Sequence, residues 1–214
     1  AAGFAQAAAV EKVAKEYPDL KFAIVDMVVD LPNVQSIVFN EHEGSYLVGV
    51  MAGMASKSGT VGFVGGMDIP LIRKFGCGYA QGVKSVKADA KVIQNMTGDT
   101  GAAWNDPVKG GEITKGQMSQ GADVIFAAAG GTGLGVLQAA ADGGALSIGV
   151  DGSFKGGIQA LGLAQDGVGY AMDDNNKALV TPEMTAAVEK AKADIIAGTV
   201  KVHDYMSDNK CPVE

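Results

Sequence analysis

The sequence is short of positive charge, of cysteine and of long apolar runs. Lys and Arg number 17 against 24 Asp and Glu, for a net charge of −7, and no Lys/Arg cluster interrupts the acidic background. A nucleic-acid backbone is therefore excluded as a partner, because binding it needs concentrated positive charge. No run of about 18 apolar residues is present, which excludes a spanning helix. The two cysteines, Cys77 and Cys211, form no Cys-x-x-Cys pair, which excludes a zinc ribbon and a thioredoxin-like site. The chain opens Ala1-Ala2-Gly3-Phe4, and neither a basic n-region nor a lipobox is legible in it.

Catalytic groupings are lacking as well. The two histidines, His42 and His203, stand alone in the sequence and read as surface or capping residues. In Gly152-Ser153-Phe154-Lys155-Gly156 the serine is off-centre, so this is not a nucleophile elbow. Asp173-Asp174-Asn175-Asn176-Lys177 opens like a calcium loop but lacks the glycine and the bidentate glutamate that such a loop needs. No catalytic residue, metal site or cofactor is expected.

What is present is apolar and glycine-rich. Hydrophobic residues make up 47% of 214, aromatics 6%, and glycines number 31. That mixture suits a parallel α/β architecture with many tight strand–helix turns. Short continuous apolar runs at 22–25, 36–39, 61–64, 91–93, 123–126 and 145–148 read as strands buried on both faces. Helical spacing falls between them, at 7–16, 43–57, 69–86, 107–120, 132–141 and 181–197. Asn105-Asp106-Pro107 and Thr181-Pro182 are cap-then-proline helix starts, and Gly198 is a stop. Strand–helix alternation implies a doubly wound sheet.

In such sheets ligands bind beyond the carboxyl ends of the strands. The residues there are Asp26, the turn 65–68 ending in Asp68, the loop 97–106 with Trp104, the turn 129–133 with Gly130 and Gly131, and Asp151. A strand-end carboxylate costs desolvation unless it is paired or faces a cleft. Asp26 and Asp151 are therefore ligand acceptors or turn caps. Trp104 is a stacking surface for a flat ligand or a lid on the core. The run 130–135 resembles a phosphate-cradling loop, but it matches neither dinucleotide nor P-loop spacing.

Taken in order, several segments resemble the basic membrane protein family, the substrate-binding lipoproteins of ABC importers, with purine nucleoside receptors among its members. They are Gly3-Phe4, residues 17–26, 65–70, 75–82, Trp104-Asn105-Asp106-Pro107, residues 121–126, 129–133, Ile148-Gly149-Val150-Asp151 and 173–179. The resemblance implies a two-lobed periplasmic-binding-protein-like fold of type I, with doubly wound parallel sheets and a ligand cleft between lobes. It implies a nucleoside ligand, an ABC permease as partner, contact with the membrane only through that permease or a lipid anchor, and a periplasmic or cell-surface location. Asp151 and Asp26 match carboxylates that hold ribose hydroxyls, and Gly130 and Gly131 match a close-approach turn. Trp104, Asp68 and Phe4 complete the expected ligand contacts. Relative to the family, two blocks are absent, one before Ala1 and one after Asp151. The expected division is 1–57 with about 155–180 as lobe one, 58–151 as lobe two, and 181–214 as a helix and tail packing on a lobe. A dinucleotide-binding enzyme and a regulatory or surface protein on the same fold are the alternatives.

The cysteines leave two readings open. Either Cys77 is a buried thiol and Cys211 a free one in a polar tail, or one disulfide ties that tail to the body.

Overall fold

The structure, a computed structural model, describes residues 1–150, 160–165, 168–172 and 176–213. The strands are β1 Phe22–Val25, β2 Val34–Phe39, β3 Thr60–Met67, β4 Lys91–Gly98, β5 Val124–Ala128, β6 Leu146–Gly149 and β7 Ala160–Leu161. The helices are α1 Ala7–Glu16, α2 Glu41–Ala55, α3 Pro70–Val86, α4 Pro107–Ser119, α5 Thr132–Asp142 and α6 Pro182–Ile196. All strand pairs are parallel, in two sheets of order β1-β2-β7 and β4-β3-β5-β6.

The chain divides into two compact units. The first is Ala1–Asn40 with Gly152–Val168; the second is Glu41–Asp151 with Gly169–Glu214. This differs from the sequence expectation at two places. Residues 41–57 belong to the second unit, and the return segment leaves the first unit at Val168. Helix packing is the cause, since α2 is interlocked with α3 and is also covered by α6.

In the first unit, the Ala-rich helix α1 lays Val10 and Ala14 on Ile24, Val29 and Val34. One side chain closes its carboxyl end. The Asn33 amide donates toward the carbonyls of Ala14 (3.0 Å), Tyr17 (3.2 Å) and Leu20 (3.0 Å). The chain start adds a further edge to β1. Val25 N–H donates to Ala1 O (3.1 Å) and Gly3 N–H to Val25 O (3.2 Å).

The second unit is built on the central strand β3, all but its two end residues being buried. One face carries Val61 and Phe63 against α2 and α3, where Phe63, Tyr79 and Phe126 form an aromatic cluster with ring centroids 5.3–6.4 Å apart. The opposite face carries Val64 with Ile125, Ala127 and Val136. Covering both faces of a parallel sheet is what permits its strands to be continuously apolar. Gly62 leaves room on this second face for the buried Gln117 amide, which donates to Phe63 O at 2.9 Å.

His42 corrects the sequence reading. It is buried, at 7% exposure. The close approach of Gly78 to its backbone draws it under α3, since a Cβ at Gly78 would sit 2.7 Å from His42 Cα.

The turn from α2 into β3 is fastened by Asp123. Its Oδ1 accepts from Ser56 Oγ (2.6 Å) and its Oδ2 from the N–H groups of Lys57 (2.7 Å) and Ser58 (2.8 Å). Burial alone would raise its pKa, but these hydrogen bonds outweigh it and hold the carboxyl below its usual value. A lowered folded pKa means the stabilisation is complete above the unfolded value, about 3.9, and is lost as pH falls through the folded one. Asp123→Asn is therefore expected to lose about 2 kcal/mol at neutral pH. Urea midpoints of wild type and variant should converge on acidification below about pH 4. A gap that persists unchanged at pH 3 would contradict this account.

Candidate functional site

In the second unit the carboxyl ends of β3, β4 and β5 converge on the 3-10 turn Gly101–Trp104. Two buried hydroxyls position that turn. Thr97 Oγ1 lies 3.0 Å from Gly66 O and 2.9 Å from Ala103 O, so its proton bridges the end of β3 and the turn. Thr132 Oγ1 donates to Ala103 O (2.8 Å) and accepts from Asp106 N–H (2.7 Å). Both threonines are buried, at 2% and 0% exposure. The result is a half-buried Trp104 ring laid over Gly66, where a Cβ would stand 2.5 Å from Cε3.

The glycine pair is explained by the same turn. Gly130 adopts φ +57°, a conformation most side chains avoid. A Cβ on Gly131 would meet Asn105 Oδ1 at 3.0 Å and Trp104 O at 3.2 Å. The close approach these glycines allow is thus made by the Trp104–Asn105 turn itself. The structure brings Trp104, Gly130 and Gly131 together. Asp68 joins them at the same sheet edge, its N–H donating to Gly98 O at 2.7 Å.

Asp68, expected as a ligand contact, has a partner within the protein. Its carboxylate is held on both oxygens by Arg73, Nε to Oδ1 at 2.6 Å and Nη2 to Oδ2 at 2.8 Å. A ligand donor at Asp68 must compete with a bidentate guanidinium, among the stronger side-chain pairings. Arg73 was not singled out from the sequence, and Thr97, Asn105 and Thr132 entered there only as members of the segments 97–106 and 129–133. Arg73 was discoverable, because it lies one helical turn into α3 and five residues after Asp68.

In the first unit, Ala1–Gly3 run beside the end of β1 and Ala2 bridges Val25, so Phe4 and Asp26 each follow directly on that paired backbone. Phe4 begins the 3-10 turn Phe4–Gln6. Asp26 has φ +65°, one of the few non-glycine residues in the left-handed region. Its N–H donates to Ile37 O at 2.9 Å. Burial pushes its carboxyl pKa up. Ionised Asp26 therefore costs stability near neutral pH, as does its backbone, and such combined costs concentrate at functional positions. Asp151 and the segment 152–156 lie outside the described residues. Asp151 follows β6 by two positions in sequence.

Trp104 is the sole tryptophan, so its emission reports on this turn alone. Thr132→Val keeps the shape of the side chain but strands Asp106 N–H and removes one of the two hydroxyls on Ala103 O. It is expected to cost about 1–2 kcal/mol and to red-shift the emission, with Thr132→Ser restoring both. An unshifted spectrum in Thr132→Val would show that the hydroxyl does not hold the turn.

Comparison with known proteins supplies the family. Residues 1–154 match the Bmp family model, described as ABC transporter substrate-binding protein PnrA-like. An ABC transporter nucleoside-binding protein BmpA of Lactococcus lactis is 40% identical over 139 residues, covering 64% of this chain and 38% of that protein. An uncharacterized lipoprotein of Pyrococcus horikoshii is 34% identical, covering 78% of this chain and 52% of that protein. The chain thus spans about two fifths to one half of the length of these curated relatives. A crystal structure of an ABC transporter solute-binding protein from Aeropyrum pernix superposes with a TM-score of 0.82 at 25% identity, covering 94% of this chain and 75% of that one. The α/β architecture with parallel sheets is that of the periplasmic-binding-protein type. On these grounds the chain belongs to the PnrA-like family of ABC transporter substrate-binding proteins.

Proposed function

We propose that the chain is the ligand-binding part of a solute receptor for an ABC importer, and that its ligand is a purine nucleoside held reversibly and released unchanged. The observation that carries the ligand class is the 40% identity to a relative named as a nucleoside-binding protein. The chemistry at the strand ends agrees with it. Asp26 offers a partly desolvated carboxylate, suited to the vicinal hydroxyls of a ribose. Asp151 is the second acceptor of that kind. The Trp104 turn is fastened by two hydroxyls before any ligand arrives, which lowers the ordering cost of binding. The receptor works on the extracytoplasmic face, carried by a lipid anchor as in the lipoprotein relatives, and delivers its solute to a permease. It performs no catalysis.

Calorimetric titration with adenosine, guanosine, inosine and a panel of sugars tests this, with Trp104 emission as a second signal. Micromolar or tighter binding of nucleosides, with the nucleoside recovered intact, is expected. Binding of sugars alone would replace the ligand class, and turnover of a nucleoside would replace the receptor reading.

A further inference from the structure

The C-terminal tail docks on one stripe of α3. Lys74, Cys77 and Gln81 follow one another at three- and four-residue spacing, so they share a helix face. Each holds a different part of the tail. Gln81 makes a two-way amide pairing with His203, accepting from its N–H at 2.8 Å and donating to its carbonyl at 3.0 Å. Lys74 Nζ lies 3.5 Å from Asp204 Oδ2 and 2.9 Å from Glu41 Oε2. Cys77 is joined to Cys211 across 134 positions of sequence, with Cα atoms 5.6 Å apart. Within the tail, Asp204 caps the 3-10 turn Tyr205–Ser207, and His203 Nε2 lies 3.0 Å from Asp208 Oδ1.

The Lys74 and Glu41 side chains are only 7% and 9% exposed. A lysine ammonium so far from water must keep its anionic partners. The tail brings it one of them, Asp204, but little apolar surface: Met206 is 49% exposed and no residue of its 3-10 turn is buried. Polar contacts at a half-exposed surface hold a terminal segment weakly, so the bridge is the dominant fastening.

We propose that residues 203–211 are an oxidation-dependent strap that closes over the buried Lys74–Glu41 pair. In closing, the Cys77 and Cys211 thiols form one S–S bond and give up two protons and two electrons. A disulfide-bearing oxidant accepts both and leaves as two thiols. A dithiol reverses the exchange, becoming a disulfide itself while the strap regains its thiols and lifts. The second unit is thereby completed only in an oxidising compartment, whichever ligand the chain carries.

The test compares the oxidised chain, the dithiothreitol-treated chain and Cys211→Ser. Acetylation of Lys74 by an N-hydroxysuccinimide ester and hydrogen exchange at His203 N–H are followed by mass spectrometry, with circular dichroism and Trp104 emission as checks on the fold. Reduction and Cys211→Ser are each expected to raise the Lys74 acetylation rate by about 10-fold or more and to remove protection at His203, with both fold signals retained. Unchanged Lys74 and His203 behaviour after reduction would overturn the strap. So would two titratable thiols in the unfolded, unreduced chain. Loss of the dichroism signal on reduction would also overturn it, by showing that the bridge holds the whole unit and not the tail.

Discussion

Gly82→Ala is expected to lose about 3 kcal/mol or more of folding stability, at the upper end of what a single methyl group can do. The cause is the contact between α2 and α3. Gly49 on one helix faces Gly82 on the other, while Gly78 admits the His42 backbone and Gly53 the backbone of Val83, so the two helices approach at backbone distance. A Cβ at Gly82 would stand 2.8 Å from the Tyr46 carbonyl carbon and nearer still to its oxygen. One at Gly49 would stand 2.9 Å from Val83 N and nearer to Tyr79 O. Backbone cannot swing aside as a side chain can, so the helices must separate. Tyr79 and Val83, both at 0% exposure beneath that contact, would lose their packing. Gly116 is the internal control. It lies in α4 with open space around its Cα, and alanine there should stabilise by about 0.5–1 kcal/mol through helix propensity. Urea unfolding of the two variants decides the matter. Equal midpoints for Gly82→Ala and wild type would refute the interlocked-helix account.

Asp151→Ala should weaken nucleoside binding by about 10²-fold or more, since two charge-assisted hydrogen bonds to vicinal hydroxyls contribute about 1.5–3 kcal/mol each. In sequence the position is the second after β6, the outer strand of the four-stranded sheet, and open parallel sheets hold their ligands beyond the carboxyl ends of their strands. Urea unfolding should be little changed, in contrast to Gly82→Ala. Asp26→Asn is the companion. Asparagine tolerates the left-handed backbone of Asp26 and removes the buried charge, so this variant should fold at least as stably as wild type while binding more weakly. The comparison separates binding from structure. An Asp151→Ala variant that binds normally, or one that fails to fold, would make Asp151 a turn cap.

The strand and helix order was legible in the sequence because both signals are local. Runs such as 61–64 and 124–126 carry no polar side chain, which burial on both faces of a sheet permits, and β3 and β5 have that burial. Helix starts were legible for the same reason. Asp106 accepts from Lys109 N–H at 3.0 Å and Thr181 from Met184 N–H at 3.2 Å, three residues on in each case. The family could be read because many weak segments occur in one order along the chain.

What only the tertiary structure decided was everything that joins residues distant in sequence. The boundary between units moved to Asn40 because glycines on α2 and α3 each admit backbone of the facing helix, and their spacing does not name a partner. Gly130 and Gly131 looked like room for a ligand, but the space is shared with a turn that Thr97 and Thr132 hold in place. The cysteines allowed both a bridge and two separate thiols, and the choice rests on where folding carries the tail. Local pattern encodes which surfaces a segment must bury. It does not encode which remote segment buries them, because that is settled by the joint packing of the whole chain.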